Sequence, residues 1–228
     1  MEYILDTADI EAIRHCNEFY PLSGVTTNPS IIAKEKKDFW QLVAEIRAII
    51  GPDKLFFAQT VQTTAEEMVK EAVLMNERSG GAFCVKIPIG EEGLKATMAL
   101  KKLGIKVLMT AIFTPQQALM AAKAGADYVA PYVNRLDNIT HNGAEVVAQI
   151  VELLALYELP CRVLAASFKN AQQVHNCASV GCQCVTVTAD IMKALISHPM
   201  TDAALTGFEK DWAVAYGKKN ILDFSCES

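Results

Sequence analysis

One stretch of this chain carries a reactive group in an apolar setting. Phe83-Cys84-Val85-Lys86-Ile87-Pro88-Ile89 is an apolar run with a single ammonium at its centre. Runs of this kind mark strands buried on both faces. A lysine inside one must lose hydration, pair with an acid or reach a cavity. Lost hydration favours the neutral amine, which is a nucleophile toward carbonyl carbon. Free lysine titrates near ~10.4 and a working amine near ~7–8, a gap of roughly 4 kcal/mol. Burial in an apolar-walled cavity can supply that. At a strand end the same side chain can also let its head escape into water, so the surrounding elements decide between the two readings.

Those elements alternate. Short strands are predicted over 3–6, 24–27, 55–59, 83–89, 106–110, 128–130, 162–167 and 184–187, with helices between them. Thr7 reads as the cap of the first helix and Ser30 as the cap of the second. Phe39 to Ile50 is closed by Gly51-Pro52. Thr63 or Thr64 opens a helix over 65–78, Thr114-Pro115 opens another, and Asn170 a third. Strand–helix alternation without a linker predicts an α/β fold, a single (β/α)₈ TIM barrel over about 1–200. An extra C-terminal helix and tail follow over about 202–228. A doubly wound open sheet would usually bring a glycine-rich phosphate loop, and no G-x-G-x-x-G occurs.

Composition bounds the rest. The length of 228 residues suits one compact barrel, and 51% hydrophobic residues point to buried subunit surface, hence a homo-oligomer. A net charge of −5 leaves no basic footprint for nucleic acid. The opening Met1-Glu2-Tyr3 carries no basic leader pattern, and no apolar run approaches the ~20 residues of a membrane span. The seven cysteines are odd in number and scattered, which fits a reduced, intracellular and so cytoplasmic setting. Cys182-Gln183-Cys184 reads as alternation about a strand start, and Cys226 as an exposed thiol of the tail. Phe208, Trp212 and Tyr216 recur every fourth residue and share a helix face. That face can close the barrel itself or pack on a neighbouring subunit.

In such barrels chemistry sits at the C-terminal ends of the strands. The residues predicted there are Asp6, Thr27 and Asn28, Gln59, Lys86, Thr110, Tyr132 and Arg135, Ser167 and Thr186. An amine, proton-handling groups and an anion site are all among them. His15, His141, His175 and His198 fall on helices or loops away from these exits, so no histidine metal site is expected. Asp6 can also be a helix cap, and Asn28 before Pro29 a turn residue.

The motifs Leu5-Asp6-Thr7, Gly24-Val25-Thr26-Thr27-Asn28-Pro29-Ser30, Val85-Lys86-Ile87-Pro88, Ala130-Pro131-Tyr132-Val133-Asn134-Arg135 and Ala165-Ala166-Ser167-Phe168-Lys169 resemble transaldolases from residue 1 to about Trp212. Gln59 stands where transaldolases proper carry glutamate, and Tyr132 where they carry phenylalanine. The chain therefore most resembles the short fructose-6-phosphate aldolase branch. The resemblance implies a class I mechanism without a metal or other cofactor, acting on a sugar phosphate. Lys86 would form the imine, Gln59, Thr110 and Tyr132 would hold a proton-carrying water, and Asp6 and Asn28 would hold donor hydroxyls. Thr26 and Ala130 would line the pocket. Arg135, Ser167 and Lys169 would bind phosphate, with Lys169 where relatives often carry arginine. Pentamers or decamers are implied by the same resemblance.

Overall fold

The computed structural model describes residues 1–224; Cys226 lies outside them. The strands are β1 (Glu2–Asp6), β2 (Leu22–Thr26), β3 (Leu55–Gln59), β4 (Phe83–Pro88), β5 (Val107–Ile112), β6 (Tyr128–Pro131), β7 (Arg162–Ala165) and β8 (Cys184–Val187). They pair in sequence order, all parallel, and β8 returns to β1 to close the barrel. Between them run α1 (Ile10–Phe19), α2 (Pro29–Glu35), α3 (Phe39–Ile50), α4 (Ala65–Arg78), α5 (Glu91–Lys102), α6 (Pro115–Lys123), α7 (Val133–Asp137), α8 (Gly143–Leu156) and α9 (Ala171–Ser179). After β8 come α10 (Ala189–Ala194) and α11 (Pro199–Tyr216).

Period-two alternation fills the barrel. Ile4, Phe57, Cys84, Leu108, Tyr128, Leu164 and Cys184 form one buried cluster, one from each of seven strands. Two residues further along those strands stand Asp6, Gln59, Lys86, Thr110, Ala130, Ala166 and Thr186. The apolar plug thus forms a floor, and the same faces turn polar at the strand exits. On β2 the inward position below Thr26 is Gly24, whose added Cβ would meet the Leu55 carbonyl at 2.2 Å. Glycine is needed there so that β2 can approach β3. Gly93 serves the same end above β4: a Cβ would lie 2.0 Å from the Pro88 carbonyl, so α5 can start directly against the end of that strand.

Charged pairs hold the opposite, N-terminal ends of the strands. Arg162 pairs with Glu2 at 2.8 Å and Lys101 with Asp127 at 2.6 Å. In barrels that end serves stability rather than chemistry.

Two caps differ from the sequence expectation. The α1 cap is Asp9, whose carboxylate accepts from the backbone N–H groups of Glu11 and Ala12; Thr7 Oγ1 instead accepts from the Asp9 backbone in the preceding turn. The α2 cap is Asn28, not Ser30, because Pro29 occupies the first helical position and Asn28 Oδ1 accepts from the Ile31 backbone at 3.0 Å. The short helix α7 was not expected. It follows β6 at once, and its amides are held by the loop just after β7: Val133 N–H donates to the Ala166 carbonyl and Asn134 N–H to the Ser167 carbonyl.

The chain divides into two compact units, Met1–Met192 and the segment from Lys193 on. In the second, α11 is capped by His198 and buries none of its residues. Trp212 donates to the Lys219 carbonyl at 2.7 Å and stacks with Tyr216, which meets Phe224 edge-on. Among the described residues no helix is long and apolar enough to cross a membrane.

Candidate active site

Lys86 does not escape into water. Its side chain rises from β4 with only 6% of the residue exposed, and Nζ donates to the Thr27 carbonyl at 2.8 Å. Burial pushes its pKa below the ordinary lysine value, and the negative charge of Asp6 works the other way. The balance is an amine that loses its proton more readily than free lysine. The carbonyl accepts one N–H and leaves the nitrogen lone pair free when the amine is neutral. Cys84, two residues below, is a thiol that burial pushes far above its usual range, so it stays neutral. Cys184 is likewise pushed up to about 12, which fits strand-start packing rather than redox chemistry at Cys182-Gln183-Cys184.

Around this amine the barrel mouth opens as a cavity of about 540 Å³. Of the residues singled out from sequence, Asp6, Thr26, Asn28, Gln59, Lys86, Thr110, Ala130, Tyr132, Arg135, Ser167, Lys169 and Thr186 line it, and Thr27 does not. Gln59 sits in register with Lys86 on the adjacent strand. Thr26 Oγ1 donates to Asp6 Oδ1 at 2.8 Å. Asn28 is both a helix cap and a wall residue: Oδ1 is occupied by the Ile31 N–H, which leaves Nδ2 as its donor.

Tyr132 is fixed from three sides. Its hydroxyl meets Thr110 Oγ1 at 2.9 Å, its ring edge meets Phe113 at 5.5 Å, and the Arg135 guanidinium lies 4.6 Å from its ring centroid. Stacking thereby restrains an arginine without using its N–H groups. Among the described residues the ion pairs involve Lys37, Lys70, Lys101 and Arg162, so Arg135 and Lys169 form none, although the Lys169 charge reaches Asp190. Ser167 takes a left-handed conformation, φ 65°. Cations free of ion pairs beside a turn of this kind suit an anion.

The transaldolase/fructose-6-phosphate aldolase family model matches residues 3–223. The chain belongs to that family. Its fold is also shared with more distant solved structures. Native KDPGal is similar with a TM-score of 0.55 and 17% identity, over 93% of this chain and 94% of that one. A flavocytochrome b2 mutant with benzoylformate reaches a TM-score of 0.60 at 12% identity, covering 82% of this chain and 57% of that one. A mandelate oxidase mutant with an FMN adduct gives 0.57 at 12%, covering 80% of this chain and 60% of that one. The chain therefore spans well under two thirds of the length of these two oxidoreductases. At such identities the likeness is one of fold alone.

Sequence reasoning missed some of the family member's cavity wall. Lys34 and Thr188 also line it. Lys34 sits in the last turn of α2, a helix that starts immediately after the β2 exit, so its distance along the sequence concealed its place at the mouth. It too lacks an ion-pair partner among the described residues. Thr27 was placed at the strand exit, but its contribution there is a backbone carbonyl, which no residue type can signal.

Proposed function

We propose that this family member is a class I aldolase that makes or breaks the C3–C4 bond of fructose 6-phosphate. The observation that carries the reading is the buried Lys86 amine, held on a carbonyl at the floor of a polar, cation-rimmed cavity. Lys86 attacks the C2 carbonyl of the ketose. One ammonium and one ketone become one iminium and one water: the Asp6 carboxylate takes a proton from Lys86 and passes it to the departing hydroxyl. A base then takes the C4 hydroxyl proton, the C3–C4 electron pair passes into the iminium, and glyceraldehyde 3-phosphate leaves. Protonation of the enamine at carbon and hydrolysis release dihydroxyacetone and restore the amine.

Gln59, Thr110 and Tyr132 together can hold a water that carries the C4 proton. An amide and a phenol orient it without adding a carboxylate's charge near the iminium. Asn28 Nδ2 and Asp6 bind donor hydroxyls, with Thr26 and Ala130 as walls. Arg135, Ser167 and Lys169 bind the phosphate, away from the bond that breaks.

A second reading is transfer: the enamine is captured by erythrose 4-phosphate instead of being protonated. Gln59 and Tyr132, standing in place of glutamate and phenylalanine, favour release. The test is borohydride reduction in the presence of dihydroxyacetone, with mass spectrometry of the Lys86 peptide, beside an assay of free dihydroxyacetone against transfer. An adduct with dominant release supports the aldolase; dominant transfer makes it a transaldolase; binding without an adduct leaves only a phosphate-binding barrel. We also assign α11 to contact with another copy of the chain, since its apolar face carries Phe208, Trp212 and Tyr216.

A further inference from the structure

Thr186 sits beside the candidate machinery without a role in it. It lies on β8, the barrel neighbour of β1 on the side away from β2: Ile4 pairs with Thr186, and Asp6 with Thr26. The two threonines meet inside the barrel across β1, with their Oγ1 atoms 2.5 Å apart. Both are buried, at 1% and 3% exposure, in the wall of the cavity.

The proton count gives this contact a direction. Thr26 has one hydroxyl proton and uses it on Asp6 Oδ1. An ionised carboxylate only accepts. Thr26 Oγ1 must therefore accept from Thr186, and the chain runs from the Thr186 O–H to Thr26 and on to Asp6. Each donation polarises the next hydroxyl, so the outer threonine strengthens the bond that the carboxylate receives. A buried hydroxyl without a partner is costly, and valine of nearly the same shape would fill the β8 position without that cost.

We propose that Thr186 is a positioning residue: through Thr26 it fixes the Asp6 carboxyl in the orientation that hands a proton to the departing hydroxyl during imine formation at Lys86. The inference rests on the aldolase reading for its chemistry, and the wild-type arm of its test separates the two.

The measurement is the rate of borohydride-trappable adduct formation on the Lys86 peptide with dihydroxyacetone, beside the Tm and the KM for glyceraldehyde 3-phosphate in the synthesis direction. Thr186→Val removes the hydroxyl and keeps the shape. Its imine formation should fall by about tenfold or more, while Tm holds or rises and the KM for the phosphorylated aldehyde stays put. Thr186→Ser, which keeps the donor, should return to within about threefold of wild type. A merely structural threonine would lower Tm and move all three readouts together. If Thr186→Val fails to fold, the comparison of Thr186→Ala with Thr186→Ser carries the same contrast. Imine formation by the hydroxyl-free variant within about twofold of wild type overturns the role of Thr186 alone. Absence of any adduct in the wild type overturns this inference and the aldolase reading together.

Discussion

The Thr110 and Tyr132 hydroxyls lie 2.9 Å apart at the ends of two adjacent strands. One of them donates to the other, so only one proton of the pair remains free to point into the cavity. With Gln59 on the wall of the same cavity, the proposed role of the pair is to hold one water rather than to act as a charged base. Tyr132→Phe should leave the fold intact and slow C3–C4 cleavage by about 10–100-fold, with imine formation little changed. Stopped-flow cleavage measured beside borohydride trapping separates the two steps.

Replacing Gln59 by glutamate puts a carboxylate in register with Lys86. Its charge should stabilise the iminium and the ammonium alike. In Gln59→Glu the ratio of erythrose 4-phosphate capture to dihydroxyacetone release should rise, by about fivefold or more. An unchanged ratio would show that partition is set elsewhere in the cavity.

The depressed pKa of Lys86 has two consequences of opposite sign. For reactivity, the neutral amine dominates once pH exceeds the folded-state value, so adduct formation should climb with pH and level off below the range of free lysine. For stability, the unfolded chain binds a proton that the folded chain resists. The cost is full below the folded-state value and vanishes as pH rises past ~10.4. Lys86→Met should therefore abolish cleavage, by more than about 10³-fold, and raise stability by about 0.5–2 kcal/mol at neutral pH. The stability gain should shrink in alkaline buffer, as thermal melts across pH would show.

Gln173 ties the two loops of the proposed phosphate site together. Its Oε1 accepts from the Lys169 backbone at 2.8 Å, and its Nε2 donates to Asn134 at 3.1 Å and to Asp137 at 2.6 Å. Gln173→Leu should raise KM for glyceraldehyde 3-phosphate by about 3–10-fold and leave glyceraldehyde unaffected. Equal effects on both aldehydes would make Gln173 a general support instead.

Removing the chain after Ala203 deletes most of α11 with Phe208, Trp212 and Tyr216. Light scattering should then report a smaller particle than for the full chain. An unchanged mass would remove this helix from the subunit contact.

The barrel was legible because β4, β7 and β8 are mostly apolar runs and because strong caps such as Thr114-Pro115 and Asn170 punctuate the helices. Strand ends then gave the site, since one barrel rim collects every exit. Errors arose where several capping side chains compete within a few residues, as at Thr7 and Asp9 or Asn28 and Ser30. Local composition does not rank them; the backbone path does. The one-turn helix α7 was illegible because its amides are satisfied by the loop after β7, a partner distant in sequence. Thr186 stood among the exits, but its link to Asp6 passes through Thr26 across an intervening strand, and a linear reading cannot show that.

The oxygen that receives the Lys86 amine belongs to the main chain at Thr27. Main-chain atoms are not encoded by codons, so no single substitution deletes this anchor. Drift at position 27 can alter the hydroxyl that ties the loop to the Phe57 carbonyl, yet every residue type carries the carbonyl that receives the amine. Engineers wishing to retune the proposed nucleophile must work on the side chains around it, for its mooring is a main-chain atom.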